Sequence, residues 1–215
     1  MNFSIFFILG FFLFGAMIVL IWRFSSKRIH LPCPSWLGWL IERDNPFTKT
    51  NRANEIIAQL NLKSGMKILD AGCGPGRLTI PAAKKVGPSG EVTALDIQEE
   101  MLTKVKKKAT DEKLENIRLL KAVLGENQLT PNQFDCALLV TVLGEIPNQQ
   151  AALKEIYTSL KPGGILSITE VIFDPHFQRM KKVGELCEST GFHLKIFVGK
   201  PWAYNFLVEK PVSYT

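Results

Sequence analysis

The first chemical signal in this chain is a carboxylate followed by bare backbone. Residues 68–76 read ILDAGCGPG, an apolar run closed by Asp70 and then Gly72, Gly74 and Gly76. Glycines adopt positive φ and let backbone approach a ligand that a Cβ would hold off. Twenty residues past Gly76, Asp96 ends a second apolar run, VTALDI. A carboxylate at that distance can accept hydrogen bonds from both hydroxyls of a ribose.

The spacing narrows the ligand. A dinucleotide fingerprint requires a third glycine where this chain has Arg77, and a phosphate-cradling loop requires a Gly-Lys-Ser/Thr ending that is absent. Asp70 adds negative charge beside the loop, which suits a cation better than a phosphate. A ribose reader, a carboxylate by a glycine loop and no phosphate site together describe a cationic nucleoside, and S-adenosylmethionine fits that description.

The elements that must position these residues alternate from Asn51 onward. Helices are predicted at Asn51 to Leu60, Leu78 to Val86, Glu99 to Ala109, Gln149 to Leu160 and Phe177 to Thr190. Strands are predicted at Lys67 to Asp70, Glu91 to Asp96, Ile117 to Ala122, Phe134 to Thr141, Ile165 to Val171, His193 to Val198 and Tyr204 to Glu209, with a turn at Lys161-Pro162-Gly163-Gly164. Such alternation calls for an α/β fold with a mostly parallel sheet covered by helices on both faces. In open sheets of this type ligands bind beyond the carboxyl ends of the strands, where ILDAGCGPG sits.

The 215 residues suit one domain with an appendage. From Asn2 to Trp22 no side chain is charged, and the run is long enough for one transmembrane helix. A cleaved signal peptide would carry positive charge before the run and small residues after it, and a buried core helix would be shorter. Here Arg23, Lys27 and Arg28 follow the run, which places the N-terminus outside and the rest in the cytoplasm. The expected domains are a transmembrane anchor at 1–24, a juxtamembrane interfacial linker at 25–50 and a catalytic domain at 51–215. The linker is rich in Pro and Trp, with Trp36 and Trp39 suited to a membrane interface, and a pocket cover is its alternative role.

Four cysteines, Cys33, Cys73, Cys136 and Cys187, form no CxxC pair, so no metal site is expected and the thiols should stay reduced. The net charge of +6 is scattered except for TKVKKK at 103–108, read as the solvated face of a helix, with anionic lipid headgroups as the alternative contact.

The chain resembles the class I S-adenosylmethionine-dependent methyltransferases. DAGCGPG looks like their first motif, ALDI like their second, and the LKPGG turn is similar to a further element, the whole resemblance covering Asn51 to Glu209. Among branches it looks closest to the type-11 or quinone-ring group. The resemblance implies a Rossmann-like seven-stranded sheet of order 3-2-1-4-5-7-6 with the last strand antiparallel. It implies that Asp70, Ala71, Gly72, Gly74 and Gly76 face the methionine end, Asp96 the ribose and Ile97 the adenine, with Val123, Leu124 and Thr141 completing the cofactor site. One departure concerns the adenine: the family often places an acidic residue near the position held by Val123, and Glu126 is the nearest substitute.

Methyl transfer is an in-line displacement, so positioning supplies most of the rate, and an oxygen or carbon acceptor needs a base where an amine needs only to be neutral. TVLGEIPN after the fourth strand lacks the Asn/Asp-Pro-Pro-aromatic motif of enzymes acting on DNA amines, which argues against nucleic acid. Glu145 there is a candidate to orient an acceptor, against a bland reading as a surface residue at a helix start. EVIFDPHF supplies Glu170, Asp174 and His176; a loop histidine is otherwise structural. Phe173, Phe177 and Trp202 are candidates to line an apolar pocket or to pack in the core. A membrane-anchored methyltransferase acting on a lipid-soluble small molecule, a quinone precursor or a phospholipid amine, is the leading expectation, with membrane lipids as partners. A non-catalytic anchored interaction module is the alternative, and failure to bind the cofactor would favour it.

Overall fold

The computed structural model describes residues 48–212 continuously, together with residues 10, 14, 17, 42 and 44. The expected anchor at 1–24 and most of the expected linker at 25–50 therefore lie outside the described residues. Among the described residues no helix is long and apolar enough to cross a membrane.

Seven strands form one sheet: β1 (Lys67–Ala71), β2 (Glu91–Asp96), β3 (Ile117–Lys121), β4 (Phe134–Val140), β5 (Leu160–Val171), β6 (His193–Lys200) and β7 (Ala203–Glu209). Their order is β3-β2-β1-β4-β5-β7-β6, the order the resemblance implied. The first five are mutually parallel, and β7 runs antiparallel to β5 and β6. Among the described residues five helices accompany the sheet: α1 (Ala53–Gln59) before β1, then α2 (Thr79–Val86), α3 (Glu99–Asp111), α4 (Gln149–Ser159) and α5 (Met180–Thr190) in the connections. Short 3-10 turns occur at Lys49–Asn51 and Leu143–Glu145.

The central strands read as unbroken apolar runs because both faces are covered. Ile68 and Leu138 point to the face packed by Ile56 of α1 and Ala83 of α2. Their neighbours Leu69 and Leu139 point to the opposite face, against Leu153 and Ile156 of α4 and Val183 of α5. Asn148 caps α4 by accepting from the Ala151 N–H, and Gly191, at φ 104°, ends α5 in the left-handed conformation. Cys73, Cys136 and Cys187 are buried free thiols.

Two elements differ from expectation. The Lys161–Gly164 turn lies inside β5 as a bulge: Phe134 pairs with Leu160 and Cys136 with Ile165, so the extra residues loop out. Gly163, at φ 79°, makes that possible, and the bulge is pinned by Gly163 N–H to Lys210 O and Lys210 N–H to Gly164 O. Helix α5 begins at Met180 rather than Phe177. Residues 172–179 are held as a loop because the Gln178 N–H donates to Glu170 Oε2 and its side-chain amide donates to His176 O.

Candidate active site

The glycine loop after β1 is tied to the end of β2. The Gly72 and Cys73 N–H groups both donate to Leu95 O, and the Gly74 N–H donates to Asp96 Oδ2 at 2.9 Å. The Gln98 N–H donates to Asp96 Oδ1, also at 2.9 Å. Each carboxylate oxygen is thus fixed by one backbone donor and keeps acceptor capacity on its cavity side. Burial raises the Asp96 carboxyl, against the pull of the Gln98, Gly74 and Ile97 N–H groups. Gly72, at φ 72°, is required sterically: a Cβ there would lie 2.5 Å from Val142 Cγ2.

Strand β4 ends in a left-handed residue that is not glycine. Thr141 has φ 55°, which is costly for a β-branched side chain, and such outliers concentrate at functional sites. The turn swings residues 142–147 over the carboxyl end of the sheet. There Gly144 packs against the loop after β5 so closely that a Cβ would overlap His176 O.

These loops enclose a cavity of about 310 Å³. Gly72, Gly74, Asp96, Ile97, Val123, Leu124, Thr141, Glu145 and His176, all singled out in the sequence, line it. Asp70, Ala71 and Gly76 do not. Asp70 is buried beneath the loop, where the Thr79 hydroxyl donates to its Oδ2 at 2.6 Å, and burial pushes its carboxyl up to about 6 despite that bond and the nearby Arg77 charge. Glu126 is exposed and outside the lining, so the adenine substitute expected from sequence is not brought in. Phe177 packs edge-on against Tyr204, while Phe173 and Trp202 are exposed and also outside the lining. Gln98, Met101, Ile146 and Asp174 line the cavity without having been singled out as cofactor contacts; their place follows only once the loops after β2, β4 and β5 converge.

One corner of the cavity is acidic. His176 is buried, with Nδ1 3.7 Å from Glu145 Oε1 and 3.9 Å from Asp174 Oδ1. Behind it Glu170 is 1% exposed, and burial pushes its carboxyl up to about 8, with the Asp174 and Glu145 charges adding to the effect. A raised acid favours the fold below its unfolded value of 4.5, where both states are protonated, and stability falls as pH rises from there to about 8. Each pH unit in that window costs about 1.4 kcal/mol. Glu170→Gln, which mimics the neutral acid, is therefore expected to flatten the fall in urea-unfolding free energy between these pH values; an unchanged slope would refute the assignment.

Arg77, at the position that excluded a dinucleotide site, has a structural task. Its guanidinium bonds Asp44 Oδ1 at 3.1 Å, Asn51 O at 2.5 Å and Asn51 Oδ1 at 2.9 Å. Asp44 Oδ1 also accepts from the Ala53 N–H, and Lys108, within the basic run, pairs with Glu42 while donating to Pro75 O. Glu42, Asp44 and Asn51 are thereby tied to the glycine loop. Arg77→Ala should lower stability by about 2 kcal/mol, a fall of roughly 4–8 °C in Tm by calorimetry.

The residues present fit S-adenosylmethionine. The space a Cβ would take at Gly74 is open, Asp96 offers a ribose its free lone pairs, and the half-exposed Ile97 and Val123 give an apolar slot for a base. Among the described residues no cluster suits a metal ion.

Comparison with known proteins agrees with this geometry. Residues 62–203 match the family described as methyltransferase domain. Over 115 residues the chain is 36% identical to a demethylmenaquinone methyltransferase of Staphylococcus aureus, a match covering 54% of this chain and 47% of that protein. The chain thus spans about half the length of the curated relatives it matches. Its fold is similar to a SAM-dependent methyltransferase from Aquifex aeolicus, at TM-score 0.73 and 22% identity, covering 83% of this chain and 99% of that one. It is also similar to a Haemonchus contortus phospholethanolamine N-methyltransferase 2 in complex with phosphomonomethylethanolamine and S-adenosylhomocysteine, at TM-score 0.66 and 18% identity, covering 81% and 56%.

Proposed function

We propose, from the premise that this chain belongs to the methyltransferase domain family and uses S-adenosylmethionine, that it methylates a lipid-soluble ring compound of the quinone-precursor class at a membrane. The observation that carries this reading is the shared cavity. Asp96 and the glycine loop line it together with Glu145, Asp174 and His176. The name of the 36% identical relative supports a quinone precursor over a phospholipid amine.

When bound, the cofactor supplies an electrophilic methyl group on a sulfonium. This chain's residues then have three tasks. Gly72, Gly74 and Asp96 bind and orient the nucleoside, with Ile97, Val123 and Leu124 flanking the base. The apolar walls, Val140, Val142 and Ile146 among them, exclude water from the reacting centre. His176 takes up the proton that a carbon or oxygen acceptor must lose, and Glu145 and Asp174, facing its Nδ1 at 3.7 and 3.9 Å, stabilise the charged imidazole. Asp70, buried and bonded to Thr79, would contribute negative potential that favours a cationic ligand.

The expected anchor at 1–24, with the N-terminus outside and the domain in the cytoplasm, accords with an acceptor dissolved in the bilayer. The test is transfer of labelled methyl from S-adenosylmethionine to a total membrane extract, with organic and aqueous phases counted separately and Asp96→Ala as control. Label in the organic phase that requires Asp96 is expected. Label confined to the aqueous phase would overturn the lipid-soluble acceptor.

A further inference from the structure

The loop after β5 and the turn before β7 meet at the carboxyl end of the sheet. Val171 pairs with Ala203, and the Ile172 N–H donates to Trp202 O at 2.8 Å. Three large apolar side chains are exposed there side by side: Ile172 at 41%, Phe173 at 64% and Trp202 at 49%. The loop then continues into Asp174, Pro175 and His176, which line the cavity, so the exposed rim borders the acceptor corner.

The rim is basic as well as apolar. Lys200 lies over the Trp202 ring at 5.3 Å from its centroid, and Arg179, Lys181 and Lys182 are exposed just past the loop. Aromatic rings and lysines with apolar stems occupy the boundary between headgroups and acyl chains, and basic residues there are drawn to anionic headgroups. The chain also enters the domain at this corner: a Cβ at Gly199 would lie 2.9 Å from Thr50 Cγ2, next to Lys200.

We infer that the rim of Ile172, Phe173 and Trp202, with Lys200 and the basic start of α5, docks on an anionic phospholipid bilayer and turns the acceptor corner toward it. The direct route from bilayer to cavity rests on the lipid-soluble acceptor proposed above; the docking itself does not.

The test uses the full chain carrying Trp22→Phe, Trp36→Phe and Trp39→Phe, which leaves Trp202 as the sole tryptophan. It is mixed with phosphatidylcholine–phosphatidylglycerol vesicles whose acyl chains are brominated. Trp202 emission is expected to fall by about half or more, and by less in pure phosphatidylcholine or in a Lys200→Glu background. Unquenched emission from protein that sediments with the vesicles would overturn the proposal, since the N-terminal run alone would then be the tether. Failure to sediment would overturn it too, as would concentration-dependent shielding of Trp202 from iodide without lipid, which would assign the rim to a second copy. Methyl transfer scored in the same preparations keeps the two readings apart. Quenching without organic-phase label retains the docking face and removes the lipid-soluble acceptor, and label without quenching does the reverse.

Discussion

Asp96→Ala is expected to weaken binding of S-adenosylhomocysteine by about 10²- to 10³-fold while leaving the domain folded. The size follows from what the carboxylate has left to offer. Its two oxygens already hold the Gly74 and Gln98 N–H groups, so it cannot swing away, and its remaining lone pairs face the cavity. Two hydrogen bonds from a ribose to a fixed, charged acceptor contribute about 1.5–3 kcal/mol each, discounted because water fills the site when the ligand leaves. The fold survives because the orphaned N–H groups border a cavity that admits water. Isothermal titration reads the affinity and calorimetry the fold. Asp96→Asn should lie between the two, since one amide oxygen can serve only one of the two backbone donors and its NH₂ must face the other. Unchanged affinity in Asp96→Ala would refute the ribose assignment.

The part of the cavity lined by Gly72, Gly74 and Asp96 was legible because those residues are local to strand ends. Asp70 through Gly76 and Asp96 stand where apolar runs stop, and β1 and β2 are adjacent, so spacing alone brings Gly74 to Asp96. What spacing could not separate was lining from support. Asp70 and Gly74 are four positions apart, yet one is buried against Thr79 and the other opens on the cavity. That distinction depends on where α2 starts, which periodicity places only to within a residue or two. The part lined by Glu145, Asp174 and His176 was legible as a list and not as an arrangement. Glu145, Asp174 and His176 lie on two loops whose approach is set by Gly144 packing against His176 O, a contact between positions 32 apart. The role of Arg77 was read only as a missing glycine, because its partners Asp44 and Asn51 precede the domain's first strand.

Glu155→Ala is the second large effect, and it acts through the loop that follows Val123 and Leu124. Sequence reading placed residue 155 in a helix, where a single acid looks like part of a solvated face. The structure buries it at 4% exposure. Its carboxylate accepts from the Gly125 and Gln128 N–H groups at 2.5 Å each and from the Leu129 N–H at 2.9 Å. One side chain of α4 thus satisfies three backbone donors of the loop that follows Val123 and Leu124, the residues proposed to flank the base. Truncation would take the charged acceptor away from all three donors at once on a loop that is half-buried at Gly125 and Leu129 and exposed at Gln128. At about 1.5–3 kcal/mol for each bond to a charged acceptor, less what partial relaxation recovers, the loss is about 4 kcal/mol. For a domain of this size that lowers Tm by roughly 8–16 °C. Glu155→Gln keeps one oxygen for Gln128 and Leu129 but turns an amide donor on the Gly125 N–H, so roughly half the loss should remain. Cofactor affinity should fall with stability in both variants, because the same loop carries Val123 and Leu124. A Glu155→Ala protein whose Tm and affinity match those of the parent would show that the loop stands without its anchor.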